Sequence, residues 1–374
     1  MRWILAVVGS LWVAVAAQAC TIFVLTDSGR TLFFNNEDFS NPNTRIWFLP
    51  ATNGVHGAAY VGFDDGWARG GVNTEGLAYD WVAGFKSKWK PMRGMKRVRG
   101  NSSQRMLESC STVPQAIEFY RTHLEPSFAQ SRILIADRTG ASVIIGYQDG
   151  KFFLEEAQGN RGFGYGLETL RKELSTAAEP TVSNGVRILR ACKQQGQFAT
   201  KYSNVFDLRS GEMFLFPTAD ETEVKLNLAG ELQKGQHFYD LPQLRQQLAE
   251  DLKPLLNDMN PNFLDEYQPL PEKEPEVTER VRRVMQSAIR GKMRAEDYSA
   301  DLWQQLEPEQ KKAQADLKKL GKLEKVILVG RIEESDKRIY RYRLDFKNAS
   351  VLQIFAFDNR DKVMFTDSEG TVWK

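Results

Sequence analysis

Cysteine and histidine are both scarce in this chain, with three of each among 374 residues. Three cysteines close at most one disulfide and leave a thiol over, which excludes a scaffold stapled by several bridges. His56, His123 and His237 are scattered, with no aspartate or cysteine at ligand spacing, so no zinc site is readable. Charge of either sign has no excess: the net is +2 and the isoelectric point about 8.3, too near neutral to argue for nucleic acid. Beyond the N-terminus no apolar run approaches the roughly 18 residues that a membrane-spanning helix needs. Internal repeats are missing too. Hydrophobic content of 42% and charged content of 26% are those of an ordinary globular protein. Nothing in the sequence calls for a cofactor or a metal.

The N-terminus is where the sequence is most specific. Arg2 precedes an apolar stretch from Trp3 to Val15, which closes on Ala17-Gln18-Ala19, the A-x-A pattern cut by signal peptidase. Cleavage there makes Cys20 the first residue, with a thiol and a free α-amine on one residue. Their ordinary pKa values are about 8.5 and about 7.7–8.0. A nucleophile and a base are then joined without a histidine. Two other readings of Cys20 stand beside this one: chance placement, and lipidation of an N-terminal cysteine. Ala17 and Gln18 fit the lipidation signal poorly. With Cys20 free, Cys110 and Cys192 are left as a disulfide or as two buried thiols.

About 355 residues remain after the cut, enough for one large domain and a smaller one. Thr21–Leu25 and Thr31–Phe34 flank Asp27-Ser28-Gly29 and predict a hairpin that starts at Cys20. Further strands are expected at 45–49, 57–63, 77–82, 132–136, 142–147, 152–155, 202–208 and 213–216, and helices at 103–109, 113–123 and 183–195. Past Pro217 the chain turns rich in Gln, Glu, Lys and Leu, is interrupted by Pro254, Pro261, Pro269, Pro271 and Pro275, and shows its clearest helix at Glu276–Arg290. Alternation returns from Leu323 and predicts a small β-meander. The division expected is a signal peptide (1–19), a catalytic domain (20–216) with a helical extension (217–319), and a C-terminal β module (320–374).

Four segments carry a family resemblance. Cys20-Thr21-x-Phe23 with Gly29 and Asn35-Asn36-Glu37-Asp38 resembles the opening of the choloylglycine hydrolase and penicillin V acylase family, N-terminal nucleophile hydrolases of linear amides. Gly70-Gly71-Val72-Asn73-Thr74-Glu75-Gly76-Leu77 resembles its second motif, Val186–Ala191 its late arginine helix, and Thr200-x-Tyr202-Ser203-x-Val205-x-Asp207 its closing hairpin. The resemblance spans residues 20–216 and implies an α+β chain folded as an αββα four-layer sandwich. It also implies roles: Cys20 as nucleophile and, through its amine, as base; Asp38 beside that amine; Asn73 as oxyanion donor; Arg187 as a cation favouring thiolate. The residues alone also allow a turn role for Asp38 and for Asn73 before Thr-Glu-Gly, and a solvated helix charge for Arg187.

The chain departs from the family at two places. Asn35 stands where the family has an arginine, and Gly166 where it has a second oxyanion asparagine, the nearby Asn160 being out of register. Lys86–Arg99 is a basic loop, read either as solvated or as a rim attracting anionic substrates. The function expected is an exported cysteine hydrolase, periplasmic or extracellular, acting on a small-molecule amide through a thioester on Cys20. Neither nucleic acid nor a membrane span enters it, and a homo-oligomer is compatible with it. The alternatives are a lipid-anchored binding protein and a pseudoenzyme of the same fold.

Overall fold

The computed structural model describes residues 20–90, 92, 94–98, 100–176, 179–196, 198–217, 223–250, 267–334 and 337–373. The segment expected to be a signal peptide, with its expected cleavage site, parts of the basic loop, Pro254 and Pro261 lie outside these residues. The chain forms two compact units, residues 1–256 and 257–374.

The first unit begins with β1 (Thr21–Thr26) and β2 (Thr31–Asp38). Asp27 closes the turn between them by accepting hydrogen bonds from the backbone N–H of Gly29 and Arg30, at 2.7 and 2.8 Å. There follow β3 (Thr44–Leu49), β4 (Ala58–Phe63), β5 (Ala68–Asn73), β6 (Leu77–Ala83), α1 (Ser102–Ser109) and α2 (Val113–Thr122). Next come β7 (Ser131–Asp137), β8 (Ala141–Gln148), β9 (Lys151–Gln158), β10 (Arg161–Gly164), α3 (Leu167–Thr176) and α4 (Val182–Ala191). The unit ends with β11 (Thr200–Asp207), β12 (Glu212–Phe216), β13 (Val224–Asn227), α5 (Leu228–Gln233), β14 (His237–Asp240) and α6 (Leu244–Ala249).

Two antiparallel sheets result, a six-stranded one in the order β10-β1-β2-β11-β12-β13 and an eight-stranded one in the order β14-β3-β4-β5-β6-β7-β8-β9. Strand alternation sends Ile22, Val24, Phe33 and Phe206 of the first sheet into one core with Ile46, Phe48, Val61, Val72 and Leu134 of the second. Phe23, Phe34, Val205 and Phe214 point the other way, against Leu170 of α3 and Ile188 and Leu189 of α4. The approach of α4 is close because residue 185 is glycine: a Cβ there would sit 1.9 Å from the Phe34 ring. Helices α1 and α2 lie against β5–β8 of the eight-stranded sheet.

Strand β5 was not expected. Its Ala-Arg-Gly-Gly core has low strand propensity, and packing selects it: a Cβ on Gly70 would meet Asp80 Oδ2 at 2.1 Å, and one on Gly71 the Ala59 carbonyl at 2.7 Å. Likewise α3 and the short β10 carry too little periodicity to be predicted.

The second unit holds α7 (Pro275–Ile289), α8 (Ala300–Leu306), α9 (Gln310–Leu320) and a sheet of β15 (Leu323–Glu334), β16 (Lys337–Phe346), β17 (Ala349–Phe357) and β18 (Val363–Trp373) in sequential order. The expected meander is there, but it does not stand alone. Val277, Val281, Val284 and Met285 of α7 share a core with Val326, Leu328, Tyr340, Tyr342 and Phe355 of the sheet. Helices α7–α9, counted above within the extension of the catalytic domain, are therefore packed with the C-terminal strands, whereas Leu228 of α5 and Leu244 of α6 belong to the core of the first unit. A chain cut at Gly321 is expected to aggregate, since it bares four apolar side chains of α7, each worth about 1.5–3 kcal/mol when buried. A chain ending at Leu256 is expected to stay soluble, and size-exclusion chromatography of the two compares them directly.

Candidate active site

Cys20 lies just ahead of β1 and is buried, with 5% of its surface exposed. Its carbonyl accepts the N–H of Tyr165 at 2.7 Å, fixing the strand start against the end of β10. Its own backbone N–H donates to Asp38 Oδ2 at 2.9 Å. The other oxygen of Asp38 accepts the Thr200 hydroxyl at 2.6 Å, and Thr200 Oγ1 in turn accepts the N–H of Gln194 at 3.0 Å. The Cys20 nitrogen, Asp38 and Thr200 thus form one buried chain across β1, β2 and the start of β11.

The thiol turns toward Glu37. Cys20 Sγ donates to Glu37 Oε1 at 3.7 Å and lies 4.0 Å from the Asp38 carbonyl oxygen. Glu37 Oε2 accepts weakly from Asn35 Nδ2 at 3.4 Å and from the Tyr202 hydroxyl at 3.5 Å. Burial pushes the Glu37 carboxyl up to about 7, against the pull of the Arg69 guanidinium. Asp38 is likewise raised to about 7 by burial, against its hydrogen bonds from Thr200 and Cys20. Burial, and after it the charges of Glu37 and Asp38, hold the Cys20 thiol well above the usual thiol range. Asp80 of β6 is raised by burial and by Glu37.

Of the four residues marked in the sequence, the structure brings together Cys20 and Asp38. Asn73 is spent elsewhere. Both hydrogens of its Nδ2 go to backbone carbonyls at the end of α1, Leu107 O and Cys110 O, each at 2.8 Å. Its Oδ1 accepts the N–H of Glu75 at 3.1 Å and of Leu77 at 2.9 Å. No donor is left for an oxyanion, and the side chain instead ties the β5–β6 turn to α1. Arg187 belongs to the outer face of α4, where it is about half exposed and paired with Glu173 of α3. That helix packs on the face of the six-stranded sheet opposite the one that holds Cys20. An exposed ion pair of this kind contributes little, so Arg187→Ala is expected to leave both activity and Tm nearly unchanged, read by turnover and thermal melting on one sample.

Asn35 hydrogen-bonds Glu37 and, at 3.4 Å, Asn204 Oδ1. Asn160 serves the β1 end, accepting the N–H of Thr26 at 2.8 Å. Gly166 sits at φ +67° beside Cys192. Cys110 and Cys192 are free thiols and cap helices on the outer faces of different sheets, which decides against a disulfide between them. Glu37, Asp80, Thr200 and Tyr202 were not assigned roles in the sequence. Alternation held the signal for three of them, since Glu37, Asp80 and Tyr202 fall on strand positions that face the core between the sheets.

Among the described residues no three His, Cys, Asp or Glu side chains converge to hold a metal ion, and no helix is long and apolar enough to cross a membrane. No family model and no curated protein matches the sequence. Among solved structures the chain is similar to penicillin V acylase from Agrobacterium tumefaciens, with 12% identity, 59% of this chain and 91% of that one covered, and a TM-score of 0.47. It is also similar to two variants of conjugated bile acid hydrolase from Clostridium perfringens. These have 13% and 14% identity, each over 59% of this chain and over 95% and 96% of theirs, with a TM-score of 0.42 for both.

Proposed function

We propose that the chain, once cut before Cys20, is an exported cysteine hydrolase of the N-terminal nucleophile type that cleaves a linear carbon–nitrogen amide bond. One observation carries the reading: the nitrogen that the cut would turn into an α-amine already sits 2.9 Å from a buried carboxylate, with the thiol on the same residue. The layers α3/α4, six-stranded sheet, eight-stranded sheet and α1/α2 are read here as the αββα sandwich of such enzymes.

In this reading the neutral α-amine takes the proton of Sγ, and the thiolate attacks the amide carbon. The resulting ammonium, held by Asp38, returns its proton to the leaving nitrogen as the carbon–nitrogen bond breaks, leaving a thioester on Cys20 and a free amine. Water then attacks the thioester, the amine again taking a proton, and releases the carboxylic acid with the thiol restored. Asp38, fixed by Thr200, orients the amine and stabilises its charged form. The cut acts as activation, because an acylated nitrogen can serve as neither base nor acid.

Intact mass with N-terminal sequencing of the exported protein, followed by an amide panel, tests the whole reading. The expected result is an unmodified Cys20 terminus and release of amine from at least one linear amide. A diacylglycerol increment on the first peptide would replace this with a lipid-anchored binding protein. A free terminus without turnover would point to a pseudoenzyme.

A further inference from the structure

Between the two sheets, directly behind the nucleophile, the apolar core gives way to a polar row. On β2 the face that carries Phe33 goes on to Asn35 and Glu37, both buried. Opposite them stand Tyr202 and Asn204 of β11 and Asp80 of β6, which alternate with the core residues Phe206, Ala78 and Val82. Asp80 is fully buried: its Oδ1 accepts the Trp81 N–H at 2.7 Å, while its Oδ2 has no hydrogen-bond partner. Glycine at position 70 is what lets that oxygen lie against β5. An uncompensated buried carboxylate costs several kcal/mol, so a row of this composition is a poor way to fill a core.

Its one contact with reacting atoms is Glu37 Oε1 to Cys20 Sγ, at 3.7 Å. We propose that Glu37 is a positioning residue for the nucleophile: its carboxylate accepts the Sγ hydrogen and fixes the thiol rotamer, and Asp80 backs it from β6. This rests on the reading of Cys20 as the nucleophile. A negative neighbour disfavours thiolate, and a thiol of higher pKa gives a stronger nucleophile once deprotonated. Glu37 therefore keeps the sulfur protonated and aimed until the α-amine takes the proton. The charged and titratable groups acting on Glu37 are Cys20 just ahead of β1, Asp38 on β2, Arg69 on β5, Asp80 on β6 and Tyr202 on β11.

The test uses the mature protein and reads iodoacetamide alkylation of the Cys20 peptide by mass spectrometry against pH, beside kcat and KM on an amide that the wild type cleaves. Glu37→Gln is expected to raise alkylation near pH 7.5 by about threefold, as for a thiol pKa lowered by about one unit, which gives about ten times more thiolate of about threefold lower nucleophilicity. It is also expected to lower kcat by about tenfold with KM within about twofold. A thiol that becomes easier to alkylate while the enzyme becomes slower is not what a merely structural acid gives. Glu37→Asp, which keeps the charge one methylene farther from Sγ, should hold the wild-type alkylation profile and still lose kcat. Wild-type alkylation or wild-type kcat in folded Glu37→Gln overturns the proposal. Should that variant not fold, Asp80→Asn decides, with alkylation raised about 1.5-fold to twofold expected and no change overturning it. If the wild type hydrolyses no amide, the enzyme reading fails, and the alkylation profiles still decide the role of Glu37.

Discussion

Cys20→Ala is expected to abolish amide hydrolysis and to leave the fold in place. The substitution removes one sulfur from a position ahead of β1 and keeps the backbone hydrogen bonds that seat the strand, Cys20 N–H to Asp38 and Tyr165 N–H to Cys20 O. The α-amine stays as a base with nothing to activate except water, so only the background rate survives. Cys20→Ser is expected to retain little, because a hydroxyl is far harder to deprotonate than a thiol with an amine as acceptor. The check is turnover on any amide that the wild type cleaves, with circular dichroism to confirm folding. Full activity in folded Cys20→Ala would place the nucleophile elsewhere.

The second large effect is on stability. Asn73→Ala is expected to lower Tm sharply and to leave kcat per folded molecule nearly unchanged, the reverse of what an oxyanion donor would give. Asn73 is 1% exposed and makes four hydrogen bonds, two to carbonyls at the end of α1 and two from the turn that leads into β6. Alanine leaves buried backbone groups without partners, at about 1–3 kcal/mol apiece. Even with partial relaxation the loss is about 3 kcal/mol or more, a large fraction of a domain's stability. Thermal melting with active-site titration separates the two outcomes. A folded variant with kcat down by about a hundredfold would return Asn73 to the chemistry.

Much of the first unit could be read before the structure was known, wherever β-branched and aromatic residues alternate, as in β1, β2, β7, β8 and β11. What escaped was chosen by close approach rather than by propensity: β5 exists because Gly70 and Gly71 let neighbouring groups come within reach. The extent of the C-terminal unit escaped for another reason. Helices α7–α9 precede their sheet in the chain, and composition alone grouped them with what came before them. In the site, Cys20 was singled out by its place after the cleavage motif and Asp38 by the family resemblance of the opening segment. For Asn73 and Arg187 the geometry fits the plainer readings, a turn residue and a solvated helix charge, because a motif gives residue types and not where their hydrogens go. The helical period already separates Arg187 from Gly185, Ile188, Leu189 and Cys192, which form the inner stripe of α4. Asn before Thr-Glu-Gly is also a turn signal in its own right.

The tie from Thr200 through Asp38 to the nitrogen of Cys20 joins, in Thr200 and Asp38, residues 162 positions apart in the chain. Its two halves meet only when β11 has docked beside β2, a long-range pairing that forms late because loop closure over such a distance is slow. In the export proposed above, the N-terminus emerges first and waits for most of the domain to follow. In that interval a freed Cys20 is an ordinary terminal cysteine, without its carboxylate clamp. On that proposal, the order of synthesis and the order of sheet assembly together delay the proposed nucleophile until a folded protein surrounds it. A chain truncated before β11 is expected to carry the same terminal thiol and amine and to hydrolyse nothing.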